Sequence, residues 1–169
     1  MSVEKPVEEA FRRERVSAVA DRTPTVVARD ASVEQLLEEL RGEESGCVVV
    51  VDTLAERRPV GVFTERDYLD KLATLTGEPR RKALSAGVSE YMTASPRTVR
   101  EDESLDVALR RMTDGGYRHL PVVGAAGELT GVLSVRDIIQ YLAALFPVEI
   151  MNLPPRLTQD EKIHTREGG

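Results

Sequence analysis

The chain reads as one unit written twice, and that duplication limits the folds open to it. At an offset of 72, Pro24 falls on Pro96, Asp30 on Asp102 and Ser32 on Ser104. The apolar quartet Val33, Leu36, Leu37 and Leu40 falls on Leu105, Ala108, Leu109 and Met112. That i, i+3, i+4, i+7 spacing marks one face of a helix in both copies. Past the next strand the offset drops to 70, because the hairpin after Val51 is two residues longer than the one after Val123. There Gly61 falls on Gly131, Thr64 on Ser134, Arg66 on Arg136 and Asp67 on Asp137. Tyr68, Leu69, Leu72 and Leu75 then fall on Ile138, Ile139, Leu142 and Leu145. This period exceeds the roughly 20–50 residues of solenoid repeats, so it predicts a doubled globular unit and not an array.

Each unit predicts the same elements. A short strand follows the proline (Thr25 to Ala28; Arg97 to Val99), and the amphipathic helix comes next, opened in the first copy by a Ser32/Gln35 capping box. A β-branched strand (Cys47 to Val51; Leu120 to Val123) leads into a hairpin, and the return strand ends at Thr64 or Ser134, where the last helix begins. A unit of about 60 residues buries too little surface to be comfortable alone. The halves are therefore expected to pack together about a pseudo-twofold axis. The division is an N-terminal segment 1–15, repeats over 16–75 and 88–146, and a linker over 76–87 rich in charge and turn formers. Residues 147–169 form a C-terminal arm or tail, since Pro147, Pro154 and Pro155 exclude a single helix. Glu8 to Val19 reads as a short amphipathic helix docking on the module.

Composition narrows the function. With 29 acids against 23 bases and a net charge of -6, the chain lacks the basic footprint of a generic nucleic-acid binder. No apolar run approaches the roughly 20 residues of a spanning helix. The opening MSVEKPVEEAFRRER has no apolar core of a secretory signal, so a cytoplasmic location is expected. One Cys and two His build neither an internal disulfide nor a standard zinc site, so no metal is expected. Cys47 reads as a small core residue, and the basic clusters Arg12-Arg13, Arg57-Arg58 and Arg80-Arg81-Lys82 as solvated faces or loops.

The candidate chemistry sits at the strand-to-helix junction, which reads GVFTERD at 61–67 and GVLSVRD at 131–137. Glycine lets another group approach the backbone. A Thr or Ser at a helix start leaves free N–H groups and a positive dipole end, which suits a phosphate. Arginine two residues on adds a charge-assisted bond to an anion, and the Asp offers two acceptor oxygens to a ribose diol. The same Thr64/Asp67 and Ser134/Asp137 pairs are also ordinary capping boxes. Recurrence in register favours the further role, because capping requires neither the Gly nor the Arg.

These two strings, with the lead-in YMTASPRTV at 91–99 and YRHLPVV at 117–123, resemble the tandem cystathionine β-synthase (CBS) domain pair, the Bateman module. The resemblance covers roughly residues 16–146. It implies an α/β (α+β) fold of two β-α-β-β-α repeats packed through their sheets, with adenosine-containing ligands in the clefts between them. It casts Asp67 and Asp137 as ribose acceptors and Thr64 and Ser134 as neighbours of phosphate. Arg66 and Arg136 are phosphate contacts or outward-facing helix arginines. Arg118 and His119 are phosphate contacts, or a solvated Arg beside a hydrogen-bonded His. The first repeat carries Gly46-Cys47 where the second has Arg118-His119, and Ala-Asp-Arg at 20–22 in place of the Tyr-Met-Thr lead-in. The two clefts are therefore expected to differ.

The expected function is a non-catalytic regulatory, energy-sensing module. It binds AMP, ADP or ATP, with S-adenosylmethionine a further candidate, as a regulatory ligand and not a required cofactor. The signal would pass through homodimer geometry or to a separate effector protein. The alternative is a ligand-free oligomerisation or protein-interaction scaffold. No membrane or nucleic-acid partner is expected, nor any catalytic residue, since the chain has no GxxxxGK[ST] loop and no paired Cys and His.

Overall fold

The computed structural model describes residues 4–21 and 23–146, the side chains of 4–6 excepted. The expected C-terminal arm lies outside the described residues. Two sheets form the frame. In the first repeat β1 (Val26–Ala28), α3 (Val33–Gly42), β2 (Cys47–Val51), β3 (Pro59–Thr64) and α4 (Glu65–Lys71) follow in order. In the second, β5 (Val99–Arg100), α6 (Leu105–Gly115), β6 (His119–Val123), β7 (Leu129–Ser134) and α7 (Val135–Leu145) repeat it. Both helices α3 and α6 bury the face that the sequence spacing marks: Val33, Leu36 and Leu40 in one, Leu105, Ala108 and Met112 in the other. Ser32 and Gln35 close the expected capping box, their two reciprocal bonds at 2.9 and 3.2 Å. The strand pairing also repeats, down to a register shift between Val50 and Val51 that recurs between Val122 and Val123.

Every side chain of β2 is buried, because that strand is covered on both faces. Val48 and Val50 face the helices with Leu36, Leu40 and Phe63. Val49 and Val51 face the other sheet and meet Leu129 and Val132 of β7. The repeats thus pack through their sheets, and each buried valine contributes about 1.5–3 kcal/mol to that arrangement.

The opening segment of each repeat, together with the helix before it, is exchanged between the two. The residues leading into the second repeat are α5 (Gly77–Ser85), a 3-10 turn at Val88–Glu90 and β4 (Thr93–Ala94). They pack on the first repeat: Ala83 and Val88 are buried there, the Val88 N–H donates to Ala31 O at 2.9 Å, and β4 pairs antiparallel with β3. Those leading into the first repeat, α1 (Glu4–Arg13) and α2 (Val16–Val19), pack on the second. There Val16 N–H donates to Glu103 O at 2.9 Å, and Asp21 and Val132 exchange both backbone hydrogen bonds at 2.9 Å. The first sheet therefore runs β1-β2-β3-β4 and the second β5-β6-β7, with Asp21 standing where β4 stands in the first. This crossing is a physical reason for neither half to be comfortable alone.

The segment expected as a linker, 76–87, contains a helix, α5: Ala83 packs against α3 while Arg81 pairs with Glu78 on the outside. The N-terminal helix expected over Glu8 to Val19 is two helices. Arg15 breaks it by adopting an extended conformation and bridging Ser104, and Phe11 of α1 is buried in the second repeat's core.

Candidate functional site

The two junction motifs fold as capping boxes, and the geometry shows what capping leaves over. Thr64 N–H and Oγ1 both donate to Asp67 Oδ2, at 2.9 and 2.8 Å, while Asp67 N–H donates back to Oγ1 at 3.3 Å. Ser134 repeats this on Asp137 Oδ2 at 2.7 and 2.6 Å, with Asp137 N–H returning to Oγ at 3.2 Å. One carboxylate oxygen in each Asp is spent on the helix start, so one oxygen, not two, remains for other work.

The motif glycines have a structural use. A Cβ on Gly131 would lie 2.5 Å from Asp21 O, and one on Gly61 would collide with the Met92 side chain. The group that approaches these glycines is the exchanged lead-in segment, Asp21 at one and Met92 at the other.

A cleft of about 170 Å³ opens between the repeats at the start of α7. Ser134, Arg136, Asp137 and Gln140 line it from the second repeat, and Thr25, Glu43, Glu44, Ser45 and Cys47 from the first. Pro24 and Val132 supply apolar wall and Asp21 a further acid. Across it Arg136 Nη1 lies 3.4 Å from Glu44 O. Beside it the His119 imidazole donates from Nε2 to Ser45 O at 2.9 Å. Both contacts join one repeat to the other. Burial lowers the His119 pKa, outweighing the Ser45 carbonyl that raises it, so the ring is held neutral more firmly than a free imidazole. Burial raises the Glu43 pKa, but hydrogen bonds from Thr25 and Ser45 outweigh it, and the carboxyl ends below its ordinary value. Burial pushes the Cys47 thiol up to about 12, helped by the charges of Glu43 and Asp67, so it is no nucleophile.

The candidate residues are not all brought to this cleft. Ser134, Arg136 and Asp137 line it and His119 adjoins it, while the Arg118 side chain is exposed and its charge acts on His119. Thr64 and Asp67 stand at the related position of the first repeat. There Lys71 Nζ donates to Asp67 Oδ1 at 2.7 Å, and Thr93 Oγ1 sits at 3.5 Å. Burial raises the Asp67 pKa, yet the Lys71 ammonium and the Thr64 hydrogen bonds outweigh it and leave it below the usual carboxylate value. Arg66 points away from Asp67 along the outer face of α4, 3.6 Å from Asp70. Asp21, Thr25, Glu43, Glu44, Ser45 and Gln140 were not singled out in the sequence. Gln140 carries a signal, one helical turn beyond Arg136, and Thr25 follows a proline repeated at Pro96; the acids carry none.

A doubled strand–helix junction around a cleft between two sheets defines a tandem-repeat α+β module. The CBS domain family matches residues 16–74 and 88–144, and the chain belongs to it. The 17.7 kDa protein in the bps2 3′ region of Acidianus ambivalens is 30% identical over 76% of this chain and 73% of its own. Protein MJ1004 of Methanocaldococcus jannaschii has the same fold, with a TM-score of 0.69 at 20% identity. The alignment covers 81% of this chain and 63% of that longer one. A CBS domain protein of Pyrobaculum aerophilum, solved with AMP, superposes with a TM-score of 0.66 at 30% identity, covering 81% of this chain and 99% of its own. CBS pairs are in general regulatory and not catalytic. Among the described residues no helix is long and apolar enough to cross a membrane.

Proposed function

We propose that the chain is a non-catalytic regulatory module that binds an adenosine-containing ligand in the cleft at Ser134, Arg136 and Asp137. The observation that carries this reading is Asp137 Oδ1. Its sister oxygen is spent on the capping box, Oδ1 accepts no hydrogen bond among the described residues, and Asp137 lines a cleft whose Pro24 and Val132 can hold a base. A ribose hydroxyl donating to that oxygen completes its hydrogen bonding. The AMP complex of the Pyrobaculum relative supports an adenosine moiety here.

The cleft is smaller than the roughly 300–1,000 Å³ of a typical ligand pocket. A ligand seated at Asp137 lies beside the Arg136–Glu44 and His119–Ser45 contacts, which join the repeats, and in this reading its entry displaces them. A ligand that binds the displaced arrangement better shifts the repeats toward it, and that differential affinity is the signal. Output passes through a homodimer or to a separate effector, in the cytoplasm. Leu69 and Ile139, at the same position in α4 and α7, are 63% and 57% exposed, and they offer a two-fold-related apolar face for a second copy.

Calorimetric titration of stripped, refolded protein with adenosine and AMP tests the reading. One saturable site per chain, lost in Asp137→Ala, is the expected result. Flat heats for both would leave a ligand-free scaffold as the function.

A further inference from the structure

Resting on the cleft assigned above, we infer that this cleft selects uncharged or cationic adenosine compounds over nucleoside phosphates. The described residues that line it carry four carboxylates, on Asp21, Glu43, Glu44 and Asp137, against one guanidinium, Arg136. The hydrogen bond from Ser45 N–H to Glu43 Oε1, at 3.0 Å, holds one of these acids in place. Arg136 reaches the carbonyl of Glu44 across the cleft, and His119, the next group that could carry positive charge, spends Nε2–H on Ser45 O. With the exposed Arg118 counted as a second cation, the acids among the described residues still outnumber the bases there two to one.

The start of α7 does not repair this deficit for a phosphate. Its Val135 N–H donates to Arg118 O at 3.0 Å and its Asp137 N–H to Ser134 Oγ, so two of the amides an anion would use are taken. The related positions of the other half show that the acids are not demanded by the fold. Thr93, Gly115 and Gly116 stand where this cleft has Asp21, Glu43 and Glu44, and Arg97 stands where it has Thr25. The same frame is thus acidic on one side and close to neutral on the other. A phosphate brought beside Glu43 and Asp137 meets like charge at short range, whereas a sulfonium or an uncharged thioether at the same ribose carbon does not.

Titration of the full chain with 5′-methylthioadenosine, S-adenosylmethionine, AMP and ATP, at low and high salt, tests this. The first two are expected to bind about tenfold or more tighter than AMP, with ATP weaker again, and salt narrows the gap. The double variant Glu43→Gln, Glu44→Gln, which keeps size and hydrogen-bonding capacity, is expected to bring AMP to within about threefold of 5′-methylthioadenosine. AMP that binds as tightly as 5′-methylthioadenosine, and loses that binding in Asp137→Ala, overturns the charge selection and leaves the adenosine site standing. No binding of any of the four overturns both.

Discussion

Lys71 Nζ lies 2.7 Å from Asp67 Oδ1 and 2.6 Å from the Tyr91 carbonyl, so the first repeat's own lysine occupies the carboxylate oxygen that capping leaves over. The related residue in the second repeat is Tyr141, whose hydroxyl turns away to donate to Glu14 at 3.1 Å. In the first repeat, Lys for Tyr puts the shorter of two bonds on Asp67 Oδ1, the other being the 3.5 Å bond from Thr93 Oγ1. Removing the lysine side chain is therefore expected to add a site. Lys71→Ala should raise the calorimetric stoichiometry for adenosine from one to two per chain, and the added site should vanish when Asp67→Ala is introduced as well. A stoichiometry unchanged by Lys71→Ala would mean that the ammonium is not what closes the first repeat's acceptor.

The two motif glycines should tolerate a methyl group unequally. At Gly131 the added Cβ meets the backbone of Asp21, which is fixed by the paired hydrogen bonds to Val132. At Gly61 it meets the Met92 side chain, which is flexible and can move. Gly131→Ala is expected to cost about 1–3 kcal/mol in urea unfolding, and Gly61→Ala less. Equal losses would show that the lead-in exchange does not set the requirement.

An apolar face shared by two pseudo-equivalent helices predicts how the chain assembles. Replacing both exposed residues, Leu69→Asp with Ile139→Asp, leaves the buried neighbours Leu72 and Ile138 untouched. The wild-type chain is expected to scatter light as a dimer and the double variant as a folded monomer with an unchanged circular dichroism spectrum, its thermal midpoint lower by the lost stabilisation of association. A variant that stays dimeric would place the interface elsewhere.

Stability should fall on mild acidification, and His119 sets the sign. Its imidazole is harder to protonate in the folded chain than in the unfolded one, whose value stays near 6.5. Below that pH the unfolded state takes up the proton first, so stability is lost as pH falls through it and is fully present above it. The thermal midpoint should drop between about pH 7.5 and 5.5, and His119→Gln, which keeps a donor for Ser45 O, should flatten that drop. A slope unaltered by His119→Gln would contradict the account.

The repeat made the elements and the core faces legible, because Val33, Leu36 and Leu40 and their second copies follow one helical spacing. It made the capping boxes legible too, and left their second role open. The exchange of lead-in segments was hidden, since nothing in residues 16–21 or 88–94 says which half they will pack on; that is decided by sheet pairing across the molecule. For the same reason the motif does not reveal that the room at Gly131 and Gly61 is taken by Asp21 and Met92. The acidic wall was equally hidden. Glu43 and Glu44 lie just past a helix end, and only the meeting of the repeats makes them and Asp137 walls of one cleft. Arg66 and Arg136 share a motif position, yet one pairs with Asp70 in solvent and the other spans the cleft.

A crystal structure of the chain soaked or co-crystallised with adenosine tests the central claim most directly. The account predicts the nucleoside between the repeats, with a ribose hydroxyl at about 2.6–2.8 Å from Asp137 Oδ1 and the Lys71–Asp67 pair undisturbed. Density for the ribose at Asp67, with Lys71 displaced and the Asp137 cleft empty, would contradict it.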